Sequence, residues 1–146
     1  MQKIKIAQIG TSGNSHGNDI FNTLKYQSDI FEIAGYCLPE NEAQKFPEKM
    51  ADFADYPVLT LEQILTDPTI EAVTVETEEI YLTKYALMAA RAGKPMHMEK
   101  PGGHVLADFE ELIAAAEKSG NVLHFGYMYR YNPYIADLIQ RVKRGE

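Results

Sequence analysis

The chain has 146 residues, 45% of them hydrophobic and 24% charged, which suits one globular domain with a real core and leaves no room for a second of full size. Fourteen basic residues against 21 acidic ones give a net charge of −7, which argues against a nucleic-acid partner, because phosphate backbones require a clustered excess of Lys and Arg. A single cysteine, Cys37, excludes an internal disulfide framework, and no segment approaches the ~20 apolar residues of a membrane span, so no membrane association and a reducing, cytoplasmic compartment are expected.

The start is basic and then apolar, but its apolar run is too short for a signal sequence and reads as a first strand carrying Ile4, Ile6 and Ile9 and stopping at Gly10. Ile20, Phe21 and Leu24 recur at helical spacing through Tyr26. Phe31 to Cys37 is a second apolar strand, ended by Pro39. From Glu40 to Phe53 the pattern is polar and helical, with Pro47 set to kink or interrupt it. Val58 and Leu59 make a short third strand, Leu61 to Leu65 a brief helix, and Asp67-Pro68 breaks the pattern.

Ala72 to Val75 is a fourth strand, poor in polar residues on both faces. Tyr81 to Ala92 is a helix stopped by Gly93, with Pro95 shortly beyond. Met96 to Met98 is a fifth strand. Val105, Phe109, Leu112 and Ala116 mark one stripe of a helix that ends at Ser119-Gly120, and Val122 to Phe125 is a sixth strand. Ile135, Leu138, Ile139 and Val142 give the last helix an apolar face. Strand–helix alternation with short connections implies right-handed βαβ units. The expected fold is therefore α/β: a doubly wound, mostly parallel sheet of about six strands with helices on both faces, the Rossmann architecture.

Three segments carry residues suited to chemistry. Gly10-Thr11-Ser12-Gly13-Asn14-Ser15 joins the first strand to the first helix, where exposed N–H groups favour an anion and glycines admit a phosphate. The dinucleotide fingerprint requires glycine at places held here by Gly10, Ser12 and Ser15, with Gly13 and Gly17 off register, so the match is partial. The same loop also reads as a flexible turn in which Asn14 or Ser15 caps the helix. Glu99-Lys100-Pro101-Gly102-Gly103 follows the fifth strand, where such sheets keep their ligand crevice, and Gly126 to Pro133, with Arg130 inside it, follows the sixth. Taken singly, Lys100 also reads as a surface lysine and Arg130 as half of a structural pair. His16, His97, His104 and His124 fall in different elements without ligand spacing and Cys37 has no companion, so no metal site is expected. His97 and His124 read as plain strand residues. His16 is near enough to the first loop to touch a ligand, but reads more simply as a surface helix position.

In order and spacing, the Gly10 turn, Gly93-Lys94, Glu99-Lys100-Pro101 and Gly126…Arg130-Tyr131-Asn132-Pro133 resemble the glucose–fructose oxidoreductase, inositol dehydrogenase and MocA family, and Asp67 to Val73 resembles that family's lead-in to the fourth strand. The resemblance covers nearly the whole chain. It implies an NAD- or NADP-dependent oxidoreductase acting by hydride transfer on a sugar, inositol or related polyol. Residues 1–146 would form its NAD(P)-binding domain. Lys100 inherits the catalytic place beside the nicotinamide and the reacting hydroxyl, where an ammonium can bond the developing alkoxide. Gly10, Thr11, Ser12, Gly13, Asn14, Ser15, Leu38, Thr77, Glu99, Lys100 and Arg130 inherit cofactor-facing places, and a cis Lys100–Pro101 peptide is expected.

Four departures qualify this expectation. Ser12 and Ser15 replace glycines. Leu38 stands near the place of the ribose-binding acid, with no arginine for a 2′-phosphate, so the choice of NAD or NADP stays open. Glu78 and Glu79 follow Thr77 where the family has Pro-Asn. Glu76, Glu78, Glu79 and Glu99 would then gather near adjacent strand ends, either as an exposed acidic loop or, less simply, bridged by a divalent cation. Finally, the family's C-terminal substrate domain, with its His and Asp, lies outside these residues. The unpartnered face of the last helix suggests truncation or a homo-oligomer whose last helices replace that domain. The rival to an enzyme is a non-catalytic Rossmann module that has lost dinucleotide and serves as a small-molecule sensor or scaffold.

Overall fold

The computed structural model describes residues 2–146. In chain order it forms β1 (Ile4–Ile9), α1 (Gly17–Tyr26), β2 (Phe31–Cys37), α2 (Glu42–Lys45), a 3₁₀ segment (Pro47–Phe53), α3 (Leu61–Thr66), β3 (Ala72–Val75), α4 (Glu79–Arg91), β4 (Met96–Met98), α5 (Leu106–Ser119), β5 (Leu123–Phe125), a second 3₁₀ segment (Met128–Tyr131) and α6 (Pro133–Arg144). All pairings are parallel, in the order β2-β1-β3-β4-β5.

The sheet has five strands where six were expected. The Val58–Leu59 strand shrinks to one parallel bridge, Tyr36 to Val58, on the outer side of β2. Tyr36 N–H donates to Pro57 O at 3.0 Å and Leu59 N–H donates to Tyr36 O at 2.8 Å. Nothing extends this pairing: Pro57 has no N–H, and Thr60 opens the capping box of α3, with its hydroxyl on Gln63 N–H and the Gln63 side chain on Thr60 N–H. Gly35 admits the close approach, since a Cβ there would stand 2.5 Å from Pro57 O. With the bridge counted as a strand, the order becomes the 3-2-1-4-5-6 of dinucleotide-binding sheets. The helical stretch from Glu40 to Phe53 is interrupted at Pro47, as expected: Pro47 starts the 3₁₀ segment and Phe46 before it is pushed out of helical geometry at φ −129°.

The two sheet faces are filled differently. Ala7, Ile9, Val73, Val75, Met96 and Met98 point to one side and join Leu82, Tyr85, Ala86, Ala89 and Leu112 of α4 and α5 in one apolar cluster. On the other side Phe21 of α1 packs with Tyr36 and Phe53 over the β2 end. Gln8, Thr74, His97 and His124 lie on that face by strand alternation. No described helix is long and apolar enough to cross a membrane.

Candidate functional site

The chain turns left from β1 to β2 and then right to β3, so the loops after β1 and β3 border the crevice where such sheets bind ligands. Gly10 makes that closeness possible. Its φ is +86°, and a Cβ would meet Thr77 Cγ2 at 2.4 Å, so only glycine fits against the buried Thr77.

The loop after Gly10 is held by side chains from four directions. Thr11 N–H donates to Glu42 Oε2 at 2.9 Å, and Thr11 Oγ1 donates to Asn18 Oδ1 at 2.9 Å. Ser15 Oγ accepts the N–H groups of Ser12 and Gly17, both at 3.1 Å, but the N-cap of α1 is His16, without a side-chain capping bond, and not Asn14 or Ser15 as expected. Lys49 sets its ammonium on Ser12 O and, at 3.4 Å, on Ser15 O. His16 N–H donates to Glu99 Oε2 at 3.3 Å. Ser12 is buried, whereas Gly13 and Asn14 are exposed. Among the described residues, the N–H groups of Gly13, Asn14 and Ser15 make no hydrogen bond within the chain. Three adjacent donors at the start of α1 are the group a pyrophosphate needs, and they fit one here.

Across the crevice the Lys100–Pro101 peptide is cis, as expected. Glu99 is buried and accepts Lys100 N–H at 2.7 Å, while His16 Nδ1 lies 2.8 Å from its other oxygen. Burial alone would raise the Glu99 pKa, but the bonds from the His16 ring, Lys100 N–H and His16 N–H outweigh it and hold the carboxyl below its ordinary value. Gly126, after β5, leaves room for this carboxylate, since a Cβ there would stand 3.1 Å from Glu99 Oε1. His16, Lys100, Gly126, Tyr127, Met128 and Tyr129 line one cleft of about 370 Å³. Arg130 is not among them. It sits on the exposed 3₁₀ segment and makes no side-chain bond among the described residues. Leu38 lines a separate cleft of about 400 Å³ beside Tyr36, Pro39 and Val58.

The four glutamates do not form an exposed loop. Glu76 and Glu99 are buried, Glu78 pairs with Lys45 at 2.5 Å, and Glu79 is exposed. No cluster of His, Cys, Asp and Glu among the described residues is arranged to hold a metal ion. Burial raises the Glu76 pKa, opposed by His97, whose Nε2 lies 3.4 Å away. His97 and His124 are strand residues, as expected, but their rings also meet, Nδ1 to Nδ1, at 2.8 Å.

Sequence reasoning missed Glu42 and Lys49. Glu42 is fully buried and accepts N–H groups from Thr11 and, at 3.3 Å, from Glu78. Burial pushes its pKa up to about 7, against the pull of those two bonds. It also raises Cys37, whose own burial takes the thiol to about 12. A glutamate at the first position of a four-residue helix carries no local signal of contacts 31 and 36 residues away. Lys94, by contrast, is structural: its ammonium donates to Asp67 O at 2.6 Å and Ile70 O at 2.7 Å and anchors the entry to β3.

Residues 4–127 match the model of the family GFO_IDH_MocA, described as an oxidoreductase family with an NAD-binding Rossmann fold. Over 87 residues the chain is 34% identical to scyllo-inositol 2-dehydrogenase (NAD(+)) of Bacillus subtilis (strain 168), covering 58% of this chain and 25% of that one. It is 27% identical over 149 residues to inositol 2-dehydrogenase of Salmonella paratyphi B, covering 99% of this chain and 42% of that one. The chain thus spans less than half the length of these curated relatives. The WlbA dehydrogenase of Bordetella pertussis, solved with NADH and UDP-GlcNAcA, superposes with a TM-score of 0.80 at 18% identity, over 99% of this chain and 43% of that one, a likeness of fold.

Proposed function

This chain belongs to the GFO_IDH_MocA oxidoreductase family, as a match over residues 4–127 to the family's NAD-binding Rossmann fold requires, and from that premise we propose that it is the nucleotide-binding part of an enzyme oxidising a sugar, inositol or related polyol. The observation that carries this reading is the junction of two loops 83 residues apart, where His16 of the first loop bonds Glu99 beside Lys100. That junction sets an anion-ready helix start and an ammonium-bearing turn on one crevice. Gly13, Asn14 and Ser15 hold the pyrophosphate, Gly10 and Thr77 shape the floor beneath it, and Glu99 fixes the turn that presents Lys100. The nicotinamide cofactor supplies the hydride acceptor when bound. Lys100 donates a hydrogen bond to the oxygen of the reacting carbon, where negative charge develops.

The relatives named for inositol support the substrate class, and this chain covers 25% and 42% of their length. The apolar side of α6 is left for a partner surface such as a second copy, and a cytoplasmic location belongs to the same reading.

Thermal unfolding with millimolar NAD⁺, NADH, NADP⁺ and NADPH tests the reading. A dinucleotide at 100 times its Kd stabilises the fold by ~2.7 kcal/mol, a rise of about 8 °C for a domain of this size. No rise with any of the four overturns it. That result favours the sensor or scaffold reading, which one observation supports: the N–H groups of Thr11, Ser12, His16 and Gly17 are already taken by Glu42, Ser15 and Glu99.

A further inference from the structure

We propose that Glu42 is a specificity-determining residue of the crevice: its buried carboxylate underlies the adenosine end and makes the chain prefer NAD(H) to NADP(H). This rests on the family reading above and answers a question which that reading leaves open. In dinucleotide-binding sheets the adenosine ribose lies beside the end of the second strand, where an acid takes its 2′-hydroxyl or a cation takes a 2′-phosphate. Here Leu38 stands at that end and lines a separate cleft. Two consecutive residues then reverse the chain in left-handed backbone, Glu40 at φ 57° and Asn41 at φ 59°, and Glu42 follows them fully buried. Its Oε2 accepts Thr11 N–H at 2.9 Å and its Oε1 accepts Glu78 N–H at 3.3 Å. One carboxylate thus ties the loop after β1 to the loop after β3 from the β2 side of the crevice.

The lysines around it are committed. Lys45 bonds Glu78 at 2.5 Å, Lys84 bonds Glu40 at 2.6 Å, and Lys49 sits on the carbonyls of Ser12 and Ser15. A 2′-phosphate would therefore arrive among Glu40, Glu42 and Glu78 with each of these ammonium groups already engaged, whereas ribose hydroxyls bring no charge. Because Glu42 is out of water its charge is weakly screened, so it acts on a phosphate without touching it. This discrimination depends on a proton. The groups facing Glu42 are Cys37 from β2, Lys45 from α2 and Glu78 from the loop after β3, with Glu40 on the turn before it and Lys49 beyond Ser12. Burial raises the Glu42 pKa, the bonds from Thr11 and Glu78 lower it, the Glu78 charge raises it, Lys45 lowers it, and the outcome is about 7. Below that pH the carboxyl is neutral and treats the two dinucleotides alike. Above it the carboxylate repels a 2′-phosphate, which has lost its own last proton at about pH 6.

The test is the ratio of the Kd values of NADPH and NADH, read by nicotinamide fluorescence from about pH 6.5 to about pH 8.5 on the wild type and Glu42→Gln. The expected result for the wild type is a preference for NADH of roughly tenfold at the alkaline end, shrinking several-fold toward the acid end. Glu42→Gln should show a smaller preference that is nearly flat with pH. Taking a ratio cancels any general loosening of the loops by the substitution, and the titration of the 2′-phosphate is common to both proteins. Equal affinities across the range, a preference for NADPH, or a preference that survives unchanged in Glu42→Gln overturns the proposal. If Glu42→Gln does not fold, the wild-type profile decides alone, and a ratio that stays flat through pH 7 overturns the proposal. If neither dinucleotide binds either protein at any pH, the dinucleotide reading itself fails and the proposal falls with it, an outcome distinct from binding without discrimination.

Discussion

The two faces of the sheet are built on different principles. On the side of α4, a single apolar cluster runs from Cys37 and Ala7 to Met98 and Leu112. On the side of α1, apolar packing stops after Phe21, Tyr36 and Phe53, and the surface continues as a polar row: Gln8 with Thr74, then Glu76, His97 and His124. The first face needs only volume and burial. In the second, each group depends on a named partner, and the row ends at the crevice where Glu99 and His16 lie. Stability therefore resides chiefly on one face, and chemistry can be placed on the other at moderate cost.

The sharpest way to break this comparison is on the apolar face. Leu82 is fully buried in the cluster, and Leu82→Ala should cost about 3 kcal/mol, read as a lower urea midpoint with an unchanged slope. A smaller loss, about 2 kcal/mol, is expected for Gln8→Ala on the opposite face. There the Gln8 amide donates to Gly10 O at 3.0 Å and Gly17 O at 3.1 Å and accepts from Thr74 Oγ1 at 3.2 Å, so its removal strands buried partners in the floor of the phosphate loop. If Gln8→Ala costs more than Leu82→Ala, the division of labour between the faces is wrong.

How much of this was legible in the sequence follows the same division. Val73, Val75, Met96 and Met98 announce themselves as buried strands, and Gly93 and Gly120 as helix ends, because apolar period and φ > 0 are local properties. The polar row is invisible to that reading. Glu76 lies just past the end of β3 and looks in sequence like one more acid of the Glu78-Glu79 loop, although two-residue alternation from Thr74 puts it on the inner face. The cis turn came from the family's pattern, whereas the contact of Gly10 with Thr77, the bonds of Glu42 and Lys49 and the bond from His16 to Glu99 depend on approaches across 31 to 83 residues. The short bridge at Val58 was over-read because β-branched residues signal a strand without saying how many residues can pair.

Glu76 sharpens the comparison further, because it is the one point where the polar face is left unsatisfied. Both its carboxylate oxygens are buried without a hydrogen-bond partner among the described residues. Its folded pKa lies above the unfolded value of 4.5, so the folded state holds the proton more tightly. That contribution is fully present below the unfolded pKa and is lost as pH rises through the folded one. Glu76→Gln, which keeps the shape and cannot ionise, should match the wild type in acid and become the more stable by about 1 kcal/mol near pH 8, in paired urea titrations. Equal stabilities at both ends of the range would mean that His97 already neutralises the carboxylate.

The smallest effect is expected where the same residue type meets no cover. Leu138 of α6 is 55% exposed, and Tyr134, Ile139 and Val142 beside it are exposed as well. Leu138→Gln should therefore change the stability of this chain by less than ~0.5 kcal/mol, although the same substitution at the buried Leu82 of α4 is expected to cost several times more. The contrast isolates burial from residue identity. Sedimentation then says whether α6 is covered by a second copy: if the wild type dimerises and Leu138→Gln does not, at equal stability, the apolar stripe is an interface between copies. If both sediment as monomers, the stripe is not an interface between copies of this chain.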